Sequence, residues 1–189
     1  MFDSYDGMAV QIIRSKRGTI SLEMNASGLK IRAPYDMAEF DILVFLEKKK
    51  SWIEKHRKMI QREQTQAKEL PPLTQEDIRE LAEQALKVIP ERVKYYAPLV
   101  GVDYGRITIR NQKTRWGSCS SQGNLNFNCL LMLFPDEVID NVVVHELCHR
   151  KHMNHSARFY AEVERVFPEY RKWDQWLNEN GRVQLARMK

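Results

Sequence analysis

The sequence predicts an α+β protein, because two kinds of hydrophobic pattern follow each other along its 189 residues. Short segments at 8–14, 19–24 and 29–32 are typical of strands, and the second of them alternates apolar and polar residues. From about residue 36, apolar residues recur at helical spacing with charged residues between them. In the second half, further short strands are expected among helices, which is the arrangement of an α+β fold.

Composition narrows the class of protein. Hydrophobic residues make up 43% of the chain and charged residues 29%, a balance too apolar for a disordered protein. No apolar run approaches the length of about 20 residues that a membrane span needs. The first residues lack the basic and then apolar order of a secretory signal, and three cysteines do not suggest a disulfide framework. We therefore expect a cytoplasmic protein with reduced thiols and no membrane partner.

The first 70 residues are predicted to form an antiparallel β-meander followed by a long basic helix. The polar face of this helix carries eight basic residues: Lys48, Lys49, Lys50, Lys55, Arg57, Lys58, Arg62 and Lys68. Together with the formal net charge of +5, this face is compatible with nucleic acid as a partner, although such faces are more often simply solvated. The Leu70-Pro71-Pro72-Leu73 segment interrupts the pattern and predicts a domain boundary between 1–70 and 71–189.

The second domain begins with a helix. Residues 74–77, Thr-Gln-Glu-Asp, resemble a capping box, and the helix is expected to run to about residue 89. Pro90 is predicted to open a second helical segment. Farther along, 106–110 alternates like a strand and 125–131 is predicted to be extended.

A later helix is predicted to begin near Pro135, because proline suits the first turn of a helix. An apolar stripe anchors this helix and leads directly into a group of histidines. The last predicted element is a helix or helix pair over 157–177, interrupted near Pro168 and ended by Gly181.

Four of the five histidines fall within eleven residues. Two of them belong to His145-Glu146-Leu147-Cys148-His149, an HExxH sequence. On a helix, residues four apart lie on one face about one turn apart, so both imidazoles can bind one metal ion. Glu146 lies to the side of that line, within reach of a metal-bound water.

His155 is predicted to be the third metal ligand. An unbroken helix would place His152 about 10 Å along the axis from His145, which is too far for both to share an ion. His155 can join the pair if the chain turns back after residue 151. Met153-Asn154 supplies such a turn, because asparagine tolerates the left-handed conformation. Three histidines suit Zn²⁺ and leave a fourth position for water.

An alternative metal site would use the three cysteines, Cys119, Cys129 and Cys148, with one histidine. These cysteines lack the CxxC spacing that is typical of structural zinc sites. Free cysteine is also commonly buried as a small apolar residue. Packing is therefore the favoured interpretation of the cysteines.

Several segments resemble the YgjP-like metallopeptidases, which are zincins similar to the SprT-like and WLM protease groups. The central ones are Thr114-Arg-Trp-Gly-Ser-Cys-Ser120, Gly123-Asn-Leu-Asn126, Val142-Val-Val-His-Glu-Leu-Cys-His149 and His152-Met-Asn-His-Ser156. Segments nearer the N-terminus fit as well: Arg14-Ser-Lys-Arg17, Ile20-Ser-Leu22, Ala33-Pro34 and Trp52-Ile53. The resemblance thus extends over residues 8–177.

The resemblance implies a zincin-like core, in which the HExxH helix packs on a small mixed or antiparallel sheet. It implies zinc ligands at His145, His149 and His155, with Glu146 as the catalytic acid and base. It also implies that the 115–120 segment lies beside the active site, in the sheet next to the motif helix.

Four further residues are candidates for the cleft. Arg115 is a candidate for stabilising an oxyanion or a substrate carboxylate, with an ion pair as the alternative, and Trp116 either walls the cleft or packs in the core. Asn128 shares one strand face with Asn126, so it lines either the cleft or the solvated side of the sheet. Tyr160 is a candidate hydrogen-bond donor to the oxyanion, with packing as the alternative.

Together these residues predict a zinc metallopeptidase. Zinc lowers the pKa of a bound water, and Glu146 takes the proton and passes it to the leaving amine of the peptide. One alternative is a DNA-associated protease that the basic helix directs to nucleic acid. Another is a non-catalytic, zinc-containing binding module, which is disfavoured because structural zinc sites usually have four protein ligands.

Overall fold

The computed structural model describes residues 2–25 and 27–187, and it confirms the α+β fold class. The chain divides into two units, Met1–Thr65 and Gln66–Lys189. The predicted domain boundary at residue 70 stays a prediction. Among the described residues, no helix combines the length and the apolar character that a membrane crossing requires.

The first unit opens with a four-stranded sheet. Its strands are β1 (Ser4–Tyr5), β2 (Met8–Ser15), β3 (Ser21–Asn25) and β4 (Gly28–Pro34). The strand order is β1-β2-β4-β3, with β2 and β4 parallel and β3 and β4 antiparallel. The predicted meander is therefore wrong in its connectivity. Leu29, Ile31 and Ala33 are fully or almost fully buried, so the most apolar strand takes the central position.

Two helices follow where one long helix was predicted. They are α1 (Glu39–Lys48) and α2 (Lys50–Glu69), separated at Lys49. Ile42 and Leu46 of α1 and Ile53 of α2 complete the small core of this unit. The basic residues of α2 and of the preceding turn are exposed except Arg57, whose guanidinium lies 3.7 Å from the Asp6 carboxylate. Contact of this surface with nucleic acid stays a prediction.

The second unit begins with α3 (Gln75–Val100), which is one continuous helix. Its predicted capping box is present, since Thr74 and Asp77 exchange side-chain and backbone hydrogen bonds. The predicted break at Pro90 is wrong, because the helix continues past this proline. An unbroken apolar face holds the helix together on both sides of it, including Ile89 and Val93, which are fully buried.

The sheet of the second unit has three short strands. They are β5 (Ile107–Arg110), β6 (Gly117–Cys119) and β7 (Leu125–Asn128), in the order β5-β7-β6. β5 is parallel to β7 and β6 is antiparallel to it, so the sheet is mixed. The chain continues from β7 into a short 3-10 helix, Cys129–Leu133, where an extended segment was predicted.

Three helices complete the fold: α4 (Asp136–Cys148), α5 (Ala157–Val166) and α6 (Tyr170–Ala186). The predicted interruption near Pro168 is confirmed as the break between α5 and α6. Gly181 does not end the last helix as predicted, but lies inside α6. A Cβ at this position would come within 2.8 Å of the Trp116 ring, so glycine permits a close approach here.

Candidate metal centre

Helix α4 provides the first two imidazoles. His145 and His149 are one turn apart, and their ring centroids are separated by 5.0 Å. The helix is held firmly, because Val143, Val144 and Leu147 are completely buried in the core of the unit. It contacts β6, α3, α5 and α6, so both histidines extend from a rigid element.

The chain turns back after α4 and brings His155 to the same place. The Nε2 atoms of His145 and His155 are 3.0 Å apart, and one ring nitrogen from each of the three histidines lies within 4.8 Å of the others. The turn contains bends at Met153 and Asn154. Asn154 does not adopt the left-handed conformation predicted for this turn. In the described part of the chain, Asp6 is the one non-glycine residue with a positive φ.

His152 has a backbone role in the site. Its carbonyl oxygen accepts a hydrogen bond from Nδ1 of His149 at 3.1 Å. Because Nδ1 carries the proton in this bond, the lone pair of His149 is left on Nε2, the tautomer needed for a metal ligand.

Phe159 packs against all three imidazoles, and sequence reasoning missed it. Its ring centroid lies 4.9 Å from that of His145, 4.6 Å from His149 and 4.9 Å from His155. The residue is fully buried near the start of α5. Helical spacing could not have identified it from His155, because His155 precedes α5 and only Phe159 lies on that helix.

The surroundings keep the imidazoles of His145 and His149 neutral. Burial, assisted by His149 and His155, lowers the pKa of His145 to about 4. Burial also lowers the pKa of His149, against the opposing effect of the His152 carbonyl. Neutral imidazole has a lone pair to donate, so these two residues are ready to bind a cation at neutral pH.

Glu146 is a buried carboxyl group without a partner. Its side chain belongs to a residue that is 6% exposed, and Oε2 has no hydrogen-bond partner among the described residues. Desolvation raises its pKa to about 8, against the opposing charge of Arg115. A Cβ added at Gly117 of β6 would come within 2.6 Å of Glu146 Oε1. The absence of a side chain at Gly117 therefore makes room for this carboxyl.

These features fit a bound divalent cation. The three histidine nitrogens converge, with Nε2 of His145 and Nε2 of His155 only 3.0 Å apart, and nitrogen donors in this number suit zinc. The unsatisfied oxygen of Glu146 adjoins the same helix face. A buried polar atom without a partner is costly in a folded protein, so its retention indicates a role in binding or chemistry.

A pocket of about 260 Å³ opens beside this group. Its walls include Arg115, Trp116, Gly117, Val142, His145 and Glu146. The structure thus brings two of the four predicted cleft residues, Arg115 and Trp116, next to the HExxH residues. Trp116 also packs edge-on against Phe134, with ring centroids 5.0 Å apart, so it has both of the roles considered from sequence.

The other two predicted cleft residues do not line this pocket. Asn128 is buried, and its side-chain amide donates to the carbonyl groups of Gln112 and Arg115 at 2.7 and 3.1 Å. It thereby fixes the segment that carries Arg115. Tyr160 stacks beside His155, with ring centroids 6.2 Å apart, and lines a second groove between α5 and α6.

Three polar residues of the 260 Å³ pocket were not anticipated: Asn141, Asp174 and Asn178. Asn141 precedes His145 by four residues, which is the spacing of one helix face and could have identified it. Asp174 and Asn178 belong to α6, and their side chains form a hydrogen bond of 3.2 Å. Desolvation raises the pKa of Asp174, with the charge of His155 acting in the opposite direction.

The cysteines do not form the alternative metal site. All three are free, and among the described residues the three histidines are the group arranged to hold an ion. Burial raises the pKa of each thiol, in the case of Cys148 to about 12. The thiols are therefore protonated at neutral pH, whereas metal ligation requires thiolate.

Comparison with known proteins identifies the family. The model of the YgjP-like metallopeptidase domain matches residues 73–180, which is more than half of the chain. The crystal structure of the metallopeptidase zymogen abylysin from Pyrococcus abyssi is 24% identical with a TM-score of 0.46, and the match covers 50% of this chain and 97% of that one. The crystal structure of the metallopeptidase zymogen jannalysin from Methanocaldococcus jannaschii is 22% identical with a TM-score of 0.44. That match covers 48% of this chain and 94% of the jannalysin chain. A search of curated proteins gives no match. On the family match, the chain belongs to the YgjP-like metallopeptidase family.

Proposed function

We propose that this protein is a zinc-dependent peptidase, with His145, His149 and His155 as the metal ligands and Glu146 as the general base. The observation that carries the proposal is the convergence of three imidazole nitrogens, within 4.8 Å of one another, two of which extend from the helix that carries Glu146. Oε2 of this buried carboxyl group has no hydrogen-bond partner in the described part of the chain. A purely structural zinc site would be closed by a fourth protein ligand.

The ligands are held by different parts of the second unit. His145 and His149 extend from α4, while His155 precedes α5, whose first turn is capped by Ser156. The His152 carbonyl orients His149. A zinc ion bound to these residues would supply Lewis acidity, which polarises the peptide carbonyl and makes water easier to deprotonate.

Glu146 is suited to move the proton. Its burial raises its pKa towards neutrality, where a carboxyl group both accepts and releases a proton readily. We assign it the proton of the attacking water and its transfer to the leaving amine of the peptide. Arg115, exposed at the rim of the pocket, offsets negative charge near this carboxyl.

The sheet offers a binding edge for an extended substrate. β6 is an outer strand of the β5-β7-β6 sheet, and it contacts the motif helix. Gly117, at its start, makes room for the Glu146 carboxyl, and both residues line the pocket. A peptide that pairs with β6 as an added strand would therefore have its backbone near Glu146.

The first experiment measures bound zinc in the wild-type protein and in the His149→Ala, His155→Ala and His152→Ala variants. We expect one zinc per chain in the wild type and strongly weakened binding in the first two variants. His152→Ala is the matched control, because the backbone carbonyl that orients His149 remains. Retention of zinc by His155→Ala at wild-type affinity would disprove the ligand set.

The second experiment tests catalysis with a peptide library. Wild-type protein is expected to cleave peptides, and Glu146→Gln is expected to bind zinc without cleaving them. Tight zinc binding by a wild-type protein that cleaves no peptide in the library would favour the non-catalytic binding module. Cleavage by Glu146→Gln at the wild-type rate would exclude the proposed base.

A further inference from the structure

Asp174 occupies the junction of two depressions in the second unit. One is the 260 Å³ pocket beside Glu146, and the other is a groove of about 600 Å³ lined by α5 and α6. Asp174 is the one described residue that lines both. Its carboxylate lies near enough to His155 for the two side chains to interact electrostatically. A substrate that reaches from the pocket into the groove must therefore pass this carboxylate close to the metal ligands.

Among the described residues, the carboxylate of Asp174 forms no ion pair with a lysine or an arginine. It accepts a hydrogen bond from the neutral side-chain amide of Asn178, at 3.2 Å. The other carboxylate of the groove, Glu164, is paired with Arg171 at 3.7 Å. An acidic group in a concave site that the protein leaves unpaired is available to a cation from outside.

The walls of the groove suit the side chain that would bring this cation. The rings of Tyr160 and Tyr170 are stacked with centroids 6.1 Å apart and an angle of 19°. Tyr160 is 40% exposed, so part of its surface is open to a ligand. The guanidinium of Arg171 already lies 5.2 Å from the Tyr170 ring centroid, which shows that a cation fits against this aromatic wall. Such rings also pack well against the aliphatic stem of lysine or arginine.

We propose that Asp174 selects substrates by binding the side-chain cation of a lysine or arginine residue that lies in the groove next to the scissile bond. This inference rests on the proposed peptidase function. The opposite pocket is already lined by the guanidinium of Arg115, whereas the guanidinium in the groove, Arg171, is paired with Glu164. The groove is therefore the place for a basic side chain. Asp174 then determines specificity, while Glu146 performs the proton transfer.

The test compares peptides that contain arginine with otherwise identical peptides that contain citrulline, its neutral isostere. The peptides are N-acetylated and C-amidated, and the arginine is placed in turn at each position. We expect wild-type kcat/KM to favour arginine over citrulline at one position, by about tenfold for a charge-assisted hydrogen bond. In Asp174→Asn this ratio is expected to fall to near 1. Glu164→Gln is the matched control and is expected to retain the ratio, because Glu164 is already paired.

Reversing the charge at position 174 should create a new substrate preference. Asp174→Lys is expected to favour glutamate at the same position of the peptide. Zinc content is measured in every variant, because Asp174 also interacts with His155. Weaker zinc binding in Asp174→Asn with an unchanged arginine-to-citrulline ratio would overturn the inference and make Asp174 an orienting residue for His155.

Peptides with a free N-terminus separate the two sources of a cationic nitrogen. Cleavage of acetylated arginine peptides supports side-chain recognition. If the Asp174-dependent preference appears only with a free amine, the group recognised is the N-terminal ammonium and the side-chain proposal is overturned.

A binding measurement separates this inference from the proposed activity. Fluorescence anisotropy records the affinity of Glu146→Gln for the arginine and citrulline peptides, with and without Asp174→Asn. Preference for arginine that requires Asp174 supports the inference even if no peptide is cleaved. Equal affinities in both backgrounds overturn it even if the peptidase activity is established.

Discussion

Glu146 on α4 and Glu162 on α5 lie in surroundings of opposite kind. Glu146 is buried beside the histidines, and its Oε2 lacks a hydrogen-bond partner among the described residues. Glu162 accepts hydrogen bonds from Lys151 at 2.8 Å and from Arg165 at 2.7 Å. Desolvation raises the pKa of the first to about 8, while the two cations, chiefly Arg165, lower that of the second to about 2.

The difference separates the carboxylate to which we assign proton transfer from one that joins two elements of the fold. The cluster around Glu162 ties the turn after α4, through Lys151, to α5. Arg165 also donates to the carbonyl of Leu99 at the end of α3. The charged groups of Lys151, Glu162 and Arg165 thus all have hydrogen-bond partners. Glu146, in contrast, costs folding free energy, and its Oε2 forms no compensating bond with the described residues. This arrangement supports the proton-transfer role that we propose for it.

The largest expected effect is on activity, from Glu146→Gln. This change preserves the shape of the side chain but removes the proton acceptor, so kcat/KM should fall by about 10²–10⁴-fold while zinc is retained. Peptide cleavage and metal analysis measure the two properties. Glu162→Gln serves as the control for removal of a carboxylate in the same unit.

The same variant should be at least as stable as the wild type when zinc is removed. The raised pKa of Glu146 destabilises the fold progressively as pH rises from about 4.5 to about 8, because the folded state resists ionisation. Glu146→Gln removes this loss, so at pH 8 its free energy of unfolding should exceed that of the wild type by about 1–3 kcal/mol. Urea unfolding with a chelator present measures this difference. A less stable variant at pH 8 would contradict our view of this carboxyl.

Gly117→Ala should lower the activity indirectly, by displacing Glu146. The added Cβ would lie within 2.6 Å of Oε1 and 2.7 Å of Cγ of Glu146, so the carboxyl must move. We expect kcat/KM to fall by about 10²-fold, the cost typical of a displacement near 1 Å. Gly18→Ala is the control, because a Cβ there meets nothing within 4 Å. Equal activity of the two variants would mean that Glu146 is not confined by β6.

Glu162→Gln should reduce the free energy of unfolding at neutral pH, and the reduction should become smaller in acid. The lowered pKa of Glu162 stabilises the fold fully above about 4.5, and the stabilisation is lost as pH falls towards 2. The variant lacks this contribution, which solvent screening limits to about 1–2 kcal/mol. Urea unfolding at pH 6 and pH 3 should therefore show a smaller gap between variant and wild type at pH 3. A gap of constant size would rule out ionisation of Glu162 as its cause.

The smallest effect is expected at an exposed ion pair. Glu23 and Arg32 are 3.1 Å apart on neighbouring strands of the first unit, with 56% and 43% of their side chains exposed. Because water competes for both groups, Glu23→Gln should change the free energy of unfolding by less than about 0.5 kcal/mol. Urea unfolding at low and high salt measures it. If Glu23→Gln lowered the free energy of unfolding as much as Glu162→Gln does, burial would not explain why the two ion pairs differ.

Local spacing was sufficient for several predictions. The capping box at Thr74 and the interruption near Pro168 depend on residues close in sequence, and both are present. The proximity of His145, His149 and His155 also followed from helix geometry and chain reach. Their roles as ligands, the cytoplasmic location and contact with nucleic acid stay predictions.

Other features required contacts between distant parts of the chain. β4 is central because its buried residues need neighbours on both sides, an arrangement that the order of strands in the sequence does not reveal. α3 continues through Pro90 because its apolar face is packed along its length. Gly181, which resembles a helix end in sequence, lies inside α6 against Trp116.

The sequence by itself determined the chemistry of the candidate site, because the regular geometry of a helix and one short turn brings residues 145, 149 and 155 together. The tertiary structure decided the surroundings of those residues. β6 and α6 supply Gly117 and Asp174, which flank the site from segments about 30 residues away on either side. Burial and charge at a site are sums over all neighbouring elements, so the raised pKa of Glu146 exists only once the chain has folded.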